Sequence, residues 1–120
     1  MTELEAVNLF TKKFGGSYQK VSQSEPIYKI LDSTGALISY AYIAIRIRSM
    51  NLAYPLSIQA KNITKILDKR LLPTVIWACE DGIIYGLVEK IRGEIFYSPN
   101  DLELMCYYDK QRSFKYVRVI

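Results

Sequence analysis

The chain has 120 residues, half of them apolar, with 16 Lys and Arg against 12 Asp and Glu and no histidine. This length suits one domain with a real core, and the lack of histidine excludes Ser-His-Asp and Cys-His catalysis, histidine proton transfer and the common zinc sites. A net charge of +4 is compatible with a polyanionic partner without implying one.

Thr2 and Glu5 form a capping box, and Leu4, Val7, Phe10 and Phe14 repeat at helical spacing. Gly15-Gly16 stops the run, so a helix is predicted over 2–14. "SYQKVS" reads as a first strand. Pro26 introduces a second, "IYKIL", and "DSTG" at 32–35 supplies hairpin-turn chemistry. The partner strand "SYAYIAIRIRS" at 39–49 alternates strictly. Ile38, Tyr40, Tyr42, Ala44, Arg46 and Arg48 share one face, and Leu37, Ala41, Ile43, Ile45 and Ile47 the other.

"NLAYPLS" reads as a loop in which Ser57 caps a helix running to about Arg70. Ile63, Ile66 and Leu67 form its apolar stripe, with Lys61, Lys65 and Lys69 opposite. "TVIWAC" is a continuous apolar run, typical of a strand covered on both faces. Glu80-Asp81-Gly82 turns the chain into "IIYGLVEKI". "EIFYS" then reads as a short strand, Pro99 or Asn100 as the start of a helix to about Tyr108, and "FKYVRVI" as an edge strand.

The order α-β-β-β-α-β-β predicts one α/β domain over 1–120, with a mixed sheet between helices. Its core spans about 2–91, and a small α-β extension covers about 92–120. Apolar runs too short to cross a bilayer, an acidic N-terminus unlike a signal peptide, and two cysteines (Cys79 and Cys106) without a CxxC motif point to a cytoplasmic protein with free thiols.

The hairpin "PIYKILDSTGALISYAYIAIRIRS" and the element order around it resemble the PD-(D/E)XK nuclease superfamily, over roughly residues 2–91. The resemblance implies a restriction-endonuclease-like αβββαβ core. In that family an Asp on the first hairpin strand and a Glu-x-Lys run on the second hold Mg²⁺ and activate water. In this chain Ala44 occupies the Glu position and Arg46 the Lys position. Arg48 trails them, and Tyr28 (or Ile27, one register step away) takes the place of the Asp. Glu5 matches the acidic residue of the first helix. "SIQAKNITKIL" matches the second, with Gln59, Lys61 and Lys65 toward a phosphate. Arginine stays protonated at any working pH and cannot serve as a general base.

These substitutions point to a non-cutting domain, without cofactor, that binds nucleic acid, DNA before RNA. Arg46 and Arg48 make the first binding candidates, because guanidinium pairs bidentately with phosphate. The tail adds Lys110, Arg112 and Lys115 among aromatic residues. Tyr28, Tyr40 and Tyr42 read either as a stacking surface for bases or as ordinary sheet aromatics. The Ile-, Lys- and Tyr-rich style suits a virus or phage, which would place the protein in a host cytoplasm. Two other readings compete. One is a protein–protein module or homo-oligomer using the tyrosines and the edge strand. The other is a Mg²⁺ nuclease with relocated carboxylates such as Glu5, Glu25 and Glu80.

Overall fold

The computed structural model describes residues 1–46, 49–50, 55–67, 71–90, 94–97, 102–107 and 115–119. Helix α1 spans Glu3–Lys12 and leads into strands β1 (Ser17–Lys20), β2 (Ile27–Leu31) and β3 (Leu37–Ile45). Strand β4 (Pro55–Gln59) runs directly into helix α2 (Ala60–Leu67). Strands β5 (Thr74–Ala78), β6 (Gly82–Leu87), β7 (Glu94–Tyr97), β8 (Leu102–Tyr107) and β9 (Lys115–Arg118) complete the fold.

Six strands form one mixed sheet in the order β1-β2-β3-β5-β6-β9. Every neighbouring pair is antiparallel except β3 and β5, which run parallel from Ala41↔Thr74 to Ile45↔Ala78. A parallel pair needs a crossover, and β4 with α2 supplies it. A second sheet, β4-β8-β7, is antiparallel throughout. The protein is therefore a mixed α/β structure, as its periodicity predicts.

The capping box at the head of α1 is closed in both directions. Glu5 N–H donates to Thr2 Oγ1 at 3.1 Å, and Thr2 N–H donates to Glu5 Oε1 at 3.2 Å. The helix ends where Gly15 takes φ +70, a backbone angle glycine adopts at no steric cost. The face it buries is rotated from the predicted stripe. Ala6, Val7 and Thr11 are buried, whereas Leu4 is 54 % and Phe14 39 % exposed. The Thr11 hydroxyl would be costly in an apolar layer but donates to the Val7 carbonyl at 3.0 Å.

Two apolar layers sandwich the large sheet. On the α1 side lie Ala6, Val7, Tyr28, Ile30, Ala41, Ile43, Ile76, Ala78 and Ile83. On the α2 side lie Ile27, Met50, Leu56, Ile58, Ile66, Val75, Trp77, Cys79 and Ile84. Strand β5 feeds both layers, and all five of its residues are buried, as its unbroken apolar run predicts. Trp77, the largest, satisfies its indole by donating Nε1–H to the Ser57 carbonyl at 2.9 Å.

Three sequence expectations are corrected. Ser57 does not cap a helix: residues 55–59 form β4, and α2 begins at Ala60. The apolar stripe of α2 is narrower than predicted, since Ile66 is fully buried while Leu67 is 51 % exposed. Most of the helix predicted up to Tyr108 is instead strand β8, which pairs with both β4 and β7. The described residues beyond 90 are thus mostly β-strand, and the last strand joins the main sheet at Gly82↔Arg118 to Tyr85↔Lys115. A Cβ at Gly82 would run into the Val117 carbonyl, so glycine is what lets β9 close on β6.

Candidate functional site

Where β3 passes the start of α2, the layers leave a cleft of about 390 Å³. One wall is β3, with Tyr42, Ala44 and Ile45. The facing wall is Ser57, Ile58 and Gln59 of β4 with Asn62 of α2, and Glu3 and Pro26 close one side. The opening has a local cause. Ala44 presents only a methyl group, and it packs half-buried at the edge of the layer that holds Ile66. Ile45, the last residue of β3, is 53 % exposed.

Glu3 is the one ionisable carboxyl lining this cleft. Its Oε1 accepts from the Tyr28 hydroxyl at 2.7 Å and pairs with Lys20 Nζ at 2.9 Å. Burial disfavours its charge, but the bonds from Lys20 and Tyr28 and the Lys20 charge outweigh that and hold its pKa below the usual carboxylate value. Tyr28 shifts the opposite way: burial, then the bond to Glu3, keep it a protonated donor. Tyr42 is likewise pushed up by burial and by the charges of Glu25 and Glu3. The cleft is thus lined by neutral donors and acceptors, with one carboxylate already occupied.

Among the described residues, no three His, Cys, Asp or Glu side chains group as a metal site. The register explains why. Ile27 lies opposite Tyr42, and Tyr28 opposite Ala41. The residue on the Ala44 face of the sheet is therefore Ile27, and it is 2 % exposed. Tyr28 packs on the other face, 1 % exposed and edge-to-face with Tyr18 at 5.8 Å, so it neither joins Ala44 nor offers a ring for stacking. Tyr40 and Tyr42 are half-buried against the α2-side layer.

Arg46 follows β3 and donates its backbone N–H to the Ala78 carbonyl at 2.8 Å, continuing the parallel pairing. Both terminal nitrogens of its guanidinium are buried and, among the described residues, lack a hydrogen-bond partner. Cys79, a buried free thiol, is its neighbour. Burial pushes that thiol up, and a hydrogen bond from the Arg46 side chain together with the Arg46 charge pulls it only partly back. A permanent charge whose terminal nitrogens make no hydrogen bond is an expensive thing to bury.

The remaining predicted residues scatter. Glu5 is spent on its own helix cap and borders a separate hollow with Met1, Asn8 and Leu9. Gln59 does line the cleft. Lys61 is exposed on α2, and Lys65 pairs with Glu25 at 3.2 Å, both about two-fifths exposed. Such an exposed pair is worth about 0–1 kcal/mol. Lys115 lies on β9, with its side chain on the α1 face, away from Ala44. Arg48, Lys110 and Arg112 lie outside the described residues.

The turn carboxylates are structural. Asp32 Oδ1 accepts from Thr34 N–H at 2.9 Å and Ala36 N–H at 3.0 Å, and Asp81 takes the Met50 N–H at 2.6 Å and Arg118 at 3.4 Å. Glu3, Ser57 and Asn62 are the cleft residues that the sequence reading passes over. Glu3 was findable: it precedes the buried Val7 by four residues and so shares its helix face.

Compared with known proteins, the chain matches no family model, no curated protein and no solved structure. No helix among the described residues is long and apolar enough to cross a membrane.

Proposed function

We propose that this chain is a nuclease-like domain of the PD-(D/E)XK type that has lost its metal centre and binds nucleic acid without cutting it. The order of elements supports this reading. Helix α1 leads into an antiparallel β1-β2-β3 meander, a crossover carries α2, and β5 lies parallel to β3. In that arrangement the reacting groups belong at the end of β3, beside the second helix. Here that place is a cleft with Ala44 in it, Gln59 and Asn62 opposite, and Ile27 where the paired carboxylate would stand.

The observation that carries the binding half of the reading is Arg46. The buried terminal nitrogens of its guanidinium, without a hydrogen bond among the described residues, are the costly arrangement. A phosphate at the mouth of the cleft supplies two acceptor oxygens and draws the side chain out by a change of rotamer. Guanidinium cannot relay the proton of an attacking water, so binding without cleavage is what the residues support.

Titration of labelled duplex and single-stranded DNA at several salt concentrations tests this. The expected result is metal-independent binding that weakens steeply as salt rises and is weakened again by Arg46→Gln and by Ala44→Glu. No binding at the lowest salt, or binding indifferent to both substitutions, rules the reading out. Strand addition at the free edges draws no support from the described residues. Both edge strands of the large sheet, β1 and β9, carry exposed Lys or Arg, the usual guard against such pairing.

A further inference from the structure

On the opposite face of the sheet from Ala44, a second pocket of about 330 Å³ lies between α1 and the β6–β9 edge. Phe10 and Tyr85 form its aromatic wall, with ring centroids 5.0 Å apart and planes at 73°. Thr74, Gly86 and Leu87 line the rest, with Lys115 at the rim. Lys115 stands directly across the ladder from Tyr85. From the other side Lys13, one helical turn after Phe10, places Nζ 3.1 Å from the Tyr85 hydroxyl and 5.5 Å from its ring centroid.

Two features set this pocket apart from an ordinary gap between helix and sheet. Among the described residues, its lining holds no carboxylate. The two exposed lysines flanking Tyr85, Lys13 and Lys115, also make no ion pair among the described residues. Two unpaired cations on either side of an aromatic ring attract an anion that itself carries a ring. The volume lies in the range of small-ligand sites.

We propose that this pocket binds a mononucleotide, the base packing against Phe10 and Tyr85 and the phosphate held between Lys13 and Lys115. The base contact is edge and face packing of π systems, worth most where water is excluded, as beside the buried Thr74. The lysine ammonium groups are point charges, suited to a phosphate whose orientation the ring already fixes.

A ¹H–¹⁵N NMR titration of the full chain with AMP, adenosine and inorganic phosphate tests the site. AMP should saturate with shifts centred on Tyr85, Leu87 and Lys115, and adenosine and phosphate should each bind at least about tenfold more weakly. Lys115→Gln and Lys13→Gln, both at exposed positions, should each weaken AMP roughly fivefold, since each removes about 1 kcal/mol of charge pairing. Arg46→Gln should leave AMP binding unchanged, which separates this site from the cleft on the other face. Equal affinity for AMP and adenosine overturns the proposal, as does AMP binding indifferent to both lysine variants. Displacement of AMP by a short oligonucleotide at far lower concentration would reassign the pocket to a nucleic-acid chain and overturns it as well.

Discussion

The two faces of the large sheet are built from the same strands yet end differently. On the α1 face, β3 sets Ala41 and Ile43 under the helix at 0 % and 1 % exposure, and a small polar network of Glu3, Lys20 and Tyr28 seals that end. On the α2 face, the next residues along, Tyr42 and Ala44, are only half-covered and line an open cleft. The helices account for the contrast. Helix α1 has ten residues and reaches β1, β3, β5 and β6, whereas α2 has eight and gives the core little beyond Ile63 and Ile66. Cleft and core here differ by how far a helix extends, with little difference in the strand beneath.

The largest expected effect lies on the α2 face. Trp77→Ala removes the biggest buried side chain of the layer that α2 covers poorly, and should cost about 3–5 kcal/mol in urea unfolding. A smaller loss would show that this layer collapses onto the void, and the contrast between the faces would then be one of rigidity as well as cover. Next comes Tyr28→Phe on the α1 face, which leaves the ring in place and removes one hydrogen bond to the half-buried carboxylate of Glu3. That should cost about 1–2 kcal/mol. An unchanged stability would mean that Lys20 alone holds the Glu3 end.

The acid limb of the stability curve sharpens the same point. The Glu3 pKa is depressed in the folded chain. Its contribution is therefore complete above the ordinary carboxylate range and is lost as the pH falls through it. Unfolding midpoints measured from neutral pH into the acid range should fall less in Glu3→Gln than in the parent chain, and Arg46→Gln should leave that difference intact. The smallest effect expected is that of Leu67→Ala. Its side chain is 51 % exposed although it belongs to the predicted stripe, so the change should stay within about 0.5 kcal/mol. A cost of several kcal/mol would mean that α2 buries a wider face, and the account of the cleft would fail with it.

Much of the framework was legible from local chemistry. The capping box and the double glycine bound α1, Asp32 marks the hairpin turn, and "TVIWA" announces a strand buried on both faces, because each depends on residues a few positions apart. The errors share a cause. "PLSIQ" and "LELMCY" lack a strong period of their own, and they form strands because they pair with each other, Leu56 opposite Cys106. Such pairing joins residues about fifty positions apart, and no local pattern records it. The site was legible in part: Ala44 and Gln59 do meet at one cleft, while Tyr28 and Glu5 do not.

By itself, then, the sequence determined the α/β class, the hairpin, the strictly alternating strand with Ala44 and Arg46 on one face, and the lack of histidine that removes histidine-based acid–base chemistry. Tertiary structure alone decided which residue crosses from which. One step of antiparallel register puts Ile27, and not Tyr28, beside the Ala44 face, because a one-residue shift in a strand reverses every side chain. It also decided the state of Arg46. Alternation gives the direction of a side chain but not what fills the space it enters, and here no described residue bonds the terminal nitrogens of the guanidinium.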